Sequence, residues 1–260
     1  MEWKTEYRNA LLDMSTNPPN VRDIINPHIP LKLYKYGSFQ SPYWGKVIYK
    51  GEIHLSQAKC FNDPFDCKAR FNYHEAIKKG DFRDKLFSTY LGRDFENIPE
   101  EIIQNYAVEG LRKDIYVFCF SEVWDSLLMW AHYANNYNGF CVEYDMSEVS
   151  DRIIDKLYPV LYEKDYIDVT SRLINFNENV GLICNLSKAE EWSYEREWRI
   201  VDYSYQSFYL RKALKTVYLG KNCEKNIQKE IIEWAKEKGK KIYSVQASNT
   251  EYKLERHREI

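Results

Sequence analysis

Residues 117–145 read VFCFSEVWDSLLMWAHYANNYNGFCVEYD. Two apolar runs, IYVFCFS at 115–121 and GFCVEYD at 139–145, have the length and content of buried strands. Between them SLLMWAHYANNY reads as a helix, with Ser126 as N-cap, Asp125 favouring the positive end of the helix dipole, and Asn138-Gly139 closing it. The middle of this unit is unusual for a core helix. Trp130, His132 and Tyr133 stand among Asn135, Asn136 and Asn138. Such rings pack on one side and hydrogen-bond on the other, as the wall of a pocket requires. At 100° per residue Trp130 and His132 diverge, whereas Met129, His132 and Tyr133 share a face.

Outward from this unit, LKLYKYG at 31–37 alternates as a strand. EIHLS is strand-like and FNDPFD, at 61–66, is a turn built on Asn, Asp and Pro. On the C-terminal side the expected order is a helix in SEVSDRIIDKL capped by Ser147, a strand in PVLYEK at 159–164 and one longer helix over 168–188. Strands follow in EWRIVDY and LKTVYLG. A charged helix over 222–239, capped by Asn222 and closed by Gly239, precedes the last strand KKIYSVQAS. Residues 1–30 read as a short helix and an irregular link broken by NPPN and NPHIP. Residues 74–113 read as a helical insert, and 249–260 as a loosely held polar tail. No Gly-rich loop follows a strand, so Rossmann and P-loop readings lack their signature. The expectation is a single α+β domain over 31–248, with a mixed sheet, split or continuous, flanked by helices.

The bulk properties narrow the function classes. The 260-residue chain has a formal net charge of -2 and a pI near 6.3, so it carries no overall basic field and generic nucleic-acid binding is not expected. An apolar run of ~18 residues is missing, so no membrane span is expected. The charged N-terminus lacks a secretory core, which points to the cytoplasm. None of the six cysteines forms a CxxC pair, which speaks against a structural zinc site. Cys67 and Cys119 show no activating basic neighbour in the sequence. Aromatic content is 16%, with 22 tyrosines to 10 glycines, enough to pave both a core and a polar pocket.

Three segments carry the candidate site residues. In FNDPFDC, Asn62, Asp63 and Asp66 either stiffen a turn or present polar groups to a ligand. In MWAHYA, His132 is a catalytic base, a ligand anchor or a core histidine. In WSYEREWRIV, Glu195, Glu197 and Arg199 alternate and so share a strand face. They form either an exposed edge or a polar cleft in which Glu197 acts on a ligand hydroxyl and Arg199 holds an anion or orients the glutamate. Ser121 lacks the small-residue elbow of a nucleophile. A metal-assisted hydrolase or nuclease would need Asp63, Asp66, His132 and Glu197 to meet.

LYKYGS, HLSQAKCFNDPFDC, VFCFSE with MWAHYANNYNGFCVEYD, and WSYEREWRIV occur in an order that resembles the bacterial domain-of-unknown-function family 2971, over about 31 to 220. That family implies no activity. A second pattern resembles ADP-ribosyltransferase-like folds, which place a His or Arg on an early strand, a central aromatic or Ser, and a late glutamate at a strand start. Tyr34 or Tyr36, a ring or Ser121, and Glu197 stand at those places, with neither His nor Arg at the first. This resemblance implies an enzyme acting on NAD or another nucleotide by ADP-ribosyl transfer or NAD hydrolysis, in a toxin or phage-defence setting. On that resemblance the nicotinamide ring would stack on an aromatic wall, Glu197 would hydrogen-bond a ribose hydroxyl and stabilise the charge developing as nicotinamide leaves, and Lys35 or Arg199 would meet the pyrophosphate. The residues themselves offer Trp130 and Tyr133 as rings and His132 as a second catalytic candidate. NAD enters as candidate substrate, with no cofactor assigned and no protein partner named. The alternatives are the metal-assisted hydrolase and a non-catalytic sensor of a nucleotide or a partner.

Overall fold

The computed structural model describes residues 2–15, 20–72, 75, 99, 101–102, 105, 109–110, 112, 114–174 and 179–259. Most of the expected 74–113 insert lies outside the described residues.

Thirteen strands are formed among the described residues: β1 (Lys32–Gly37), β2 (Glu52–His54), β3 (Ser56–Gln57), β4 (Tyr116–Ser121), β5 (Phe140–Asp145), β6 (Leu157–Pro159), β7 (Leu161–Glu163), β8 (Ser187–Ala189), β9 (Glu197–Asp202), β10 (Ser207–Tyr209), β11 (Leu214–Leu219), β12 (Lys241–Ala247) and β13 (Leu254–Arg258). The main sheet runs β13-β12-β11-β5-β1-β4-β9-β6, with β3 added beside β4. Its pairs are antiparallel except β11 with β12, which are parallel and joined through the helix Lys225–Lys238. The fold is therefore α+β with a mixed sheet. Among the described residues no helix is long and apolar enough to cross a membrane.

Register separates the two faces. Side chains alternate along a strand, and directly paired residues share a face. One face carries Leu33, Phe118, Phe120, Val142, Tyr144, Trp198, Ile200 and Val217 and packs into the main apolar core, with Tyr7 and Leu11 of the first helix and Ile231 and Ala235 of the 225–238 helix. The other face carries Tyr34, Tyr36, Cys119, Ser121, Cys141, Glu143, Glu197, Arg199 and Tyr218. Helix Leu127–Tyr133 lies over it through Met129 and Trp130. A sheet face this polar is not hydrophobic-core material, and its groups must find partners on the spot.

The sheet is locally split. β1 holds β5 through six paired positions from Lys32↔Asp145 to Gly37↔Phe140, but holds β4 through the single pair Tyr34↔Ser121. Beyond that pair, on the side of Lys35 and Phe120, the two strands are not registered with each other.

Several expectations are revised. The 168–188 segment is not one helix: Thr170–Ile174 and Val180–Leu186 are separate, and Ser187–Ala189 is strand β8, parallel to β7. The strand expected in PVLYEK is two short strands broken at Val160. The 222–239 helix starts at Lys225 without a side-chain cap and does end at Gly239, whose φ of 63° suits glycine. The C-terminal stretch is not loose. Leu254–Arg258 pairs antiparallel with β12, and Arg256 lies over the rings of Trp124 and Tyr243 at 5.4 and 4.9 Å. The asparagines after Tyr133 make a turn rather than a pocket wall. Asn135, Asn136 and Tyr137 adopt φ of 48°, 50° and 64°, a left-handed run that asparagine tolerates better than most residues.

Candidate functional site

A cavity of ≈ 170 Å³ opens where β1 and β4 part. Tyr34, Lys35 and Tyr36 border it from one strand, and Cys119, Phe120 and Ser121 from the other. Met129 and Tyr133, one helical turn apart, close one side, and Phe61, Asn62 and Asp66 of the 61–66 turn close another. Lys188, Glu195 and Glu197 complete it.

Beside the cavity lies a buried ionic cluster. The Arg199 side chain is fully buried. Its Nε donates to Glu197 Oε1 at 2.8 Å and its Nη2 to Glu197 Oε2 at 2.9 Å. Nη2 also reaches Asp66 at 3.0 and 2.9 Å, while Nη1 donates to the Asn185 carbonyl at 2.8 Å and meets Cys67 Sγ at 3.1 Å. This planar fork satisfies what an Arg needs when withdrawn from water. Lys188 is the second cation. It pairs with Glu195, with Glu197 at 2.9 Å and with Asp66 at 3.4 Å, and its Nζ sits 5.3 Å from the Trp192 ring centre. Tyr133 donates to Glu195 Oε1 at 2.6 Å, and the Tyr162 hydroxyl accepts the Glu197 amide at 2.8 Å.

Three carboxylates thus face two cations, and the two glutamates diverge. Burial alone would raise Glu197, but the Arg199 and Lys188 charges outweigh it and hold this carboxyl well below its ordinary value. Glu195 goes the other way. Burial, reinforced by the neighbouring Glu197 charge, raises it in spite of Lys188 and the Tyr133 hydrogen bond. The two carboxyls are thus driven apart, Glu197 down and Glu195 up. Lys188, which burial would discharge, is kept charged by Glu197, Asp66 and Glu195. Burial pushes the Tyr133 hydroxyl up, next to the Glu195 charge, so it remains a donor. Burial also pushes Cys119 well above its ordinary value, with Glu197 adding to it. Cys67 does have a basic neighbour in Arg199, against the sequence expectation, yet burial dominates and raises it too.

Local backbone explains how the groups meet. Glu195 and Glu197 were expected on one strand, two residues apart. Glu195 instead ends the 3-10 helix Glu190–Glu195, Arg196 turns through φ 46°, and β9 begins at Glu197. Cys67, following Asp66, also has positive φ, 57°. Both segments that deliver carboxylates pass through a left-handed non-glycine residue, and such strain gathers at functional sites.

Among the sequence candidates, Tyr34, Lys35, Tyr36, Asn62, Asp66, Ser121, Tyr133, Glu195 and Glu197 border one cavity. Four candidates do not. Arg199 lies beneath it and, with its donors occupied, is not placed to meet a pyrophosphate. Asp63 accepts the Phe65 amide at 2.8 Å and serves the turn. Trp130 is fully buried, edge-on to Tyr36 and bonded through Nε1 to the Trp124 carbonyl at 2.7 Å, so it anchors the helix to the sheet. His132 is exposed, with Nδ1 3.2 Å from the Tyr194 hydroxyl. Within the lining, Ser121 Oγ donates to the Glu195 carbonyl at 2.7 Å and fastens β4 to the Glu190–Glu195 segment. The Lys35 ammonium lies 4.6 Å from the Phe118 ring centre. Lys188, Cys119, Phe120, Phe61 and Met129 also line the cavity and are not among the sequence candidates for the site. Lys188 was hidden by reading 168–188 as one helix, where a terminal lysine is ordinarily solvated. Among the described residues no group of three or more His, Cys, Asp or Glu side chains could hold a metal ion.

The family model described as "Protein of unknown function (DUF2971)" matches residues 129–200, and over that span the chain resembles this family. The match takes in Met129, Tyr133, Lys188, Glu195, Glu197 and Arg199, and leaves out the β1 and 61–66 contributions. No curated protein and no solved structure matches the chain.

Proposed function

We propose that the cavity binds a nucleotide-like ligand and that the protein is an enzyme breaking the N-glycosidic bond of NAD or a related nucleotide, with transfer of the ADP-ribosyl group to water or another acceptor. The observation that carries this reading is Glu195. A carboxyl with raised proton affinity stands in a ring-lined recess at a split in the sheet, between a tyrosine donor and a charged lysine. Tyr34, Tyr36 and Met129 give surface against which a planar ring packs. When the C1′–N bond breaks, the leaving nicotinamide keeps the electron pair and the ribosyl carbon becomes electron-poor. The Glu195 carboxylate opposite that carbon stabilises the developing positive charge and takes the proton from the attacking water.

The catalytic role thereby passes from Glu197 to Glu195. Both glutamates are bonded at both oxygens, but Glu197 is gripped by two cations, Arg199 and Lys188, which hold it below its ordinary value. Glu195 meets one cation and a tyrosine hydroxyl and is raised, so Glu197 orients the cluster and Glu195 is the better base. Consumption of NAD is chemistry that suits a toxin or a phage-defence protein. The closed pairing of the cluster favours one competing reading, a sensor that binds a nucleotide without turnover. Calorimetric titration with NAD, followed by assay of nicotinamide release, separates the two. Binding with release supports the enzyme, binding without release the sensor, and absence of both removes the proposal.

A further inference from the structure

A second cavity, of ≈ 320 Å³, lies against the first. Lys188 borders both, and a wall stands between them. It consists of the 61–66 turn and β8, joined where the Cys67 amide donates to the Ser187 carbonyl at 3.2 Å. The turn serves both sides: Phe61 and Asp66 border the first cavity and Phe65 the second. In the second cavity Phe65 and Tyr166 remain 61% and 42% exposed, two rings left open to solvent in one recess. Lys68 and Lys164 stand with them, Lys164 3.9 Å from Glu190; of the cavity's two carboxylates Glu163 is paired with Arg8, and Asp165 also borders it.

Size connects the two recesses. Pockets that enclose a whole small ligand run to roughly 300–1,000 Å³. The first cavity alone, at ≈ 170 Å³, falls short of that range and suits one ring, while the adjoining ≈ 320 Å³ supplies the missing room. We infer that the two cavities form one bipartite site for a dinucleotide, with one ring in the first recess and the second ring against Phe65 and Tyr166, its phosphates facing Lys68 and Lys164. This rests on the nucleotide reading of the first cavity and adds the place of the second ring and of the phosphates. Stacking of a base on an aromatic side chain contributes enough to be read in affinity, and lysines meet phosphate as point charges.

The test is calorimetric titration of the full chain with NAD and, separately, with nicotinamide mononucleotide, which has a single ring system besides its sugar. The wild type is expected to bind both. Phe65→Ala is expected to weaken NAD about tenfold or more and to leave the mononucleotide unchanged, with Tyr166→Ala acting in the same direction. Phe65 is mostly exposed and Tyr166 partly so, and neither belongs to the buried core. Unchanged NAD affinity in both variants, or equal losses for the two ligands, would overturn the bipartite site while leaving the first cavity's reading intact. A wild type that binds neither ligand overturns that reading and this inference with it.

Discussion

Arg199 grips Glu197 by both carboxylate oxygens, at 2.8 and 2.9 Å, from two residues along the same strand. Neighbours two apart on a strand share a face, so an ion pair is built into β9 itself. Asp66 and Lys188 close over it, and a pair that would be marginal at the surface is fully withdrawn from water.

Replacing Arg199 with Met strands Glu197 and Asp66 with Lys188 as their one remaining cationic partner in this cluster. Uncompensated buried charge of this kind costs about 3–5 kcal/mol. Urea unfolding of Arg199→Met should show a midpoint lowered accordingly at unchanged m. A midpoint within 0.5 kcal/mol equivalents, on the order expected of a surface change, would mean that the cluster does not hold the fold.

Acid should act through Glu197. Its folded-state proton affinity is depressed, so it contributes stability above the ordinary glutamate value of 4.5, and that contribution is lost as pH falls below it. Glu195 has the opposite sign: its raised value favours the fold at low pH and loses that contribution as pH rises through it. Melting temperature should therefore fall with pH below 4.5 in the wild type and fall less steeply in Glu197→Gln. Parallel slopes would refute the assignment.

Tyr133 donates to Glu195 and so favours its ionised form. Removing the hydroxyl in Tyr133→Phe should push the Glu195 carboxyl further up. If Glu195 acts as base, the ascending limb of the pH–rate profile moves to higher pH in this variant. A limb that stays in place would detach Tyr133 from the chemistry.

The turn after Tyr133 makes two opposed predictions. A Cβ on Gly139 would stand 2.1 Å from the Gly37 carbonyl oxygen, so Gly139→Ala must displace backbone and should destabilise by about 1–3 kcal/mol or more. Asn136, at φ 50°, should accept glycine at a cost of a few tenths of a kcal/mol or with none. Thermal melts of the two variants check both signs.

Much of this was legible in the sequence. The alternation in LYKYG and VFCFS sets Tyr34, Tyr36, Cys119 and Ser121 on one face and Leu33, Phe118 and Phe120, with Lys35, on the other, and alternation, length and content marked most strands. Ser126 was read correctly as a cap, accepting the Met129 amide at 3.3 Å. What periodicity could not reveal was non-local. Whether Glu195 and Glu197 share a strand depends on one left-handed residue, Arg196, that no pattern of polarity signals. Lys188 gained its meaning from Asp66, far away in the chain. The strand at Leu254–Arg258 is exposed along most of its length, so its composition mimics a tail, while its backbone pairing fixes it.

The most direct measurement is the rate of nicotinamide release from NAD by Glu195→Gln compared with the wild type, at matched folding by melting temperature. Loss of a positioned acid–base group predicts a fall of about 10²–10⁴-fold in kcat. A Glu195→Gln protein that releases nicotinamide at the wild-type rate would contradict the account.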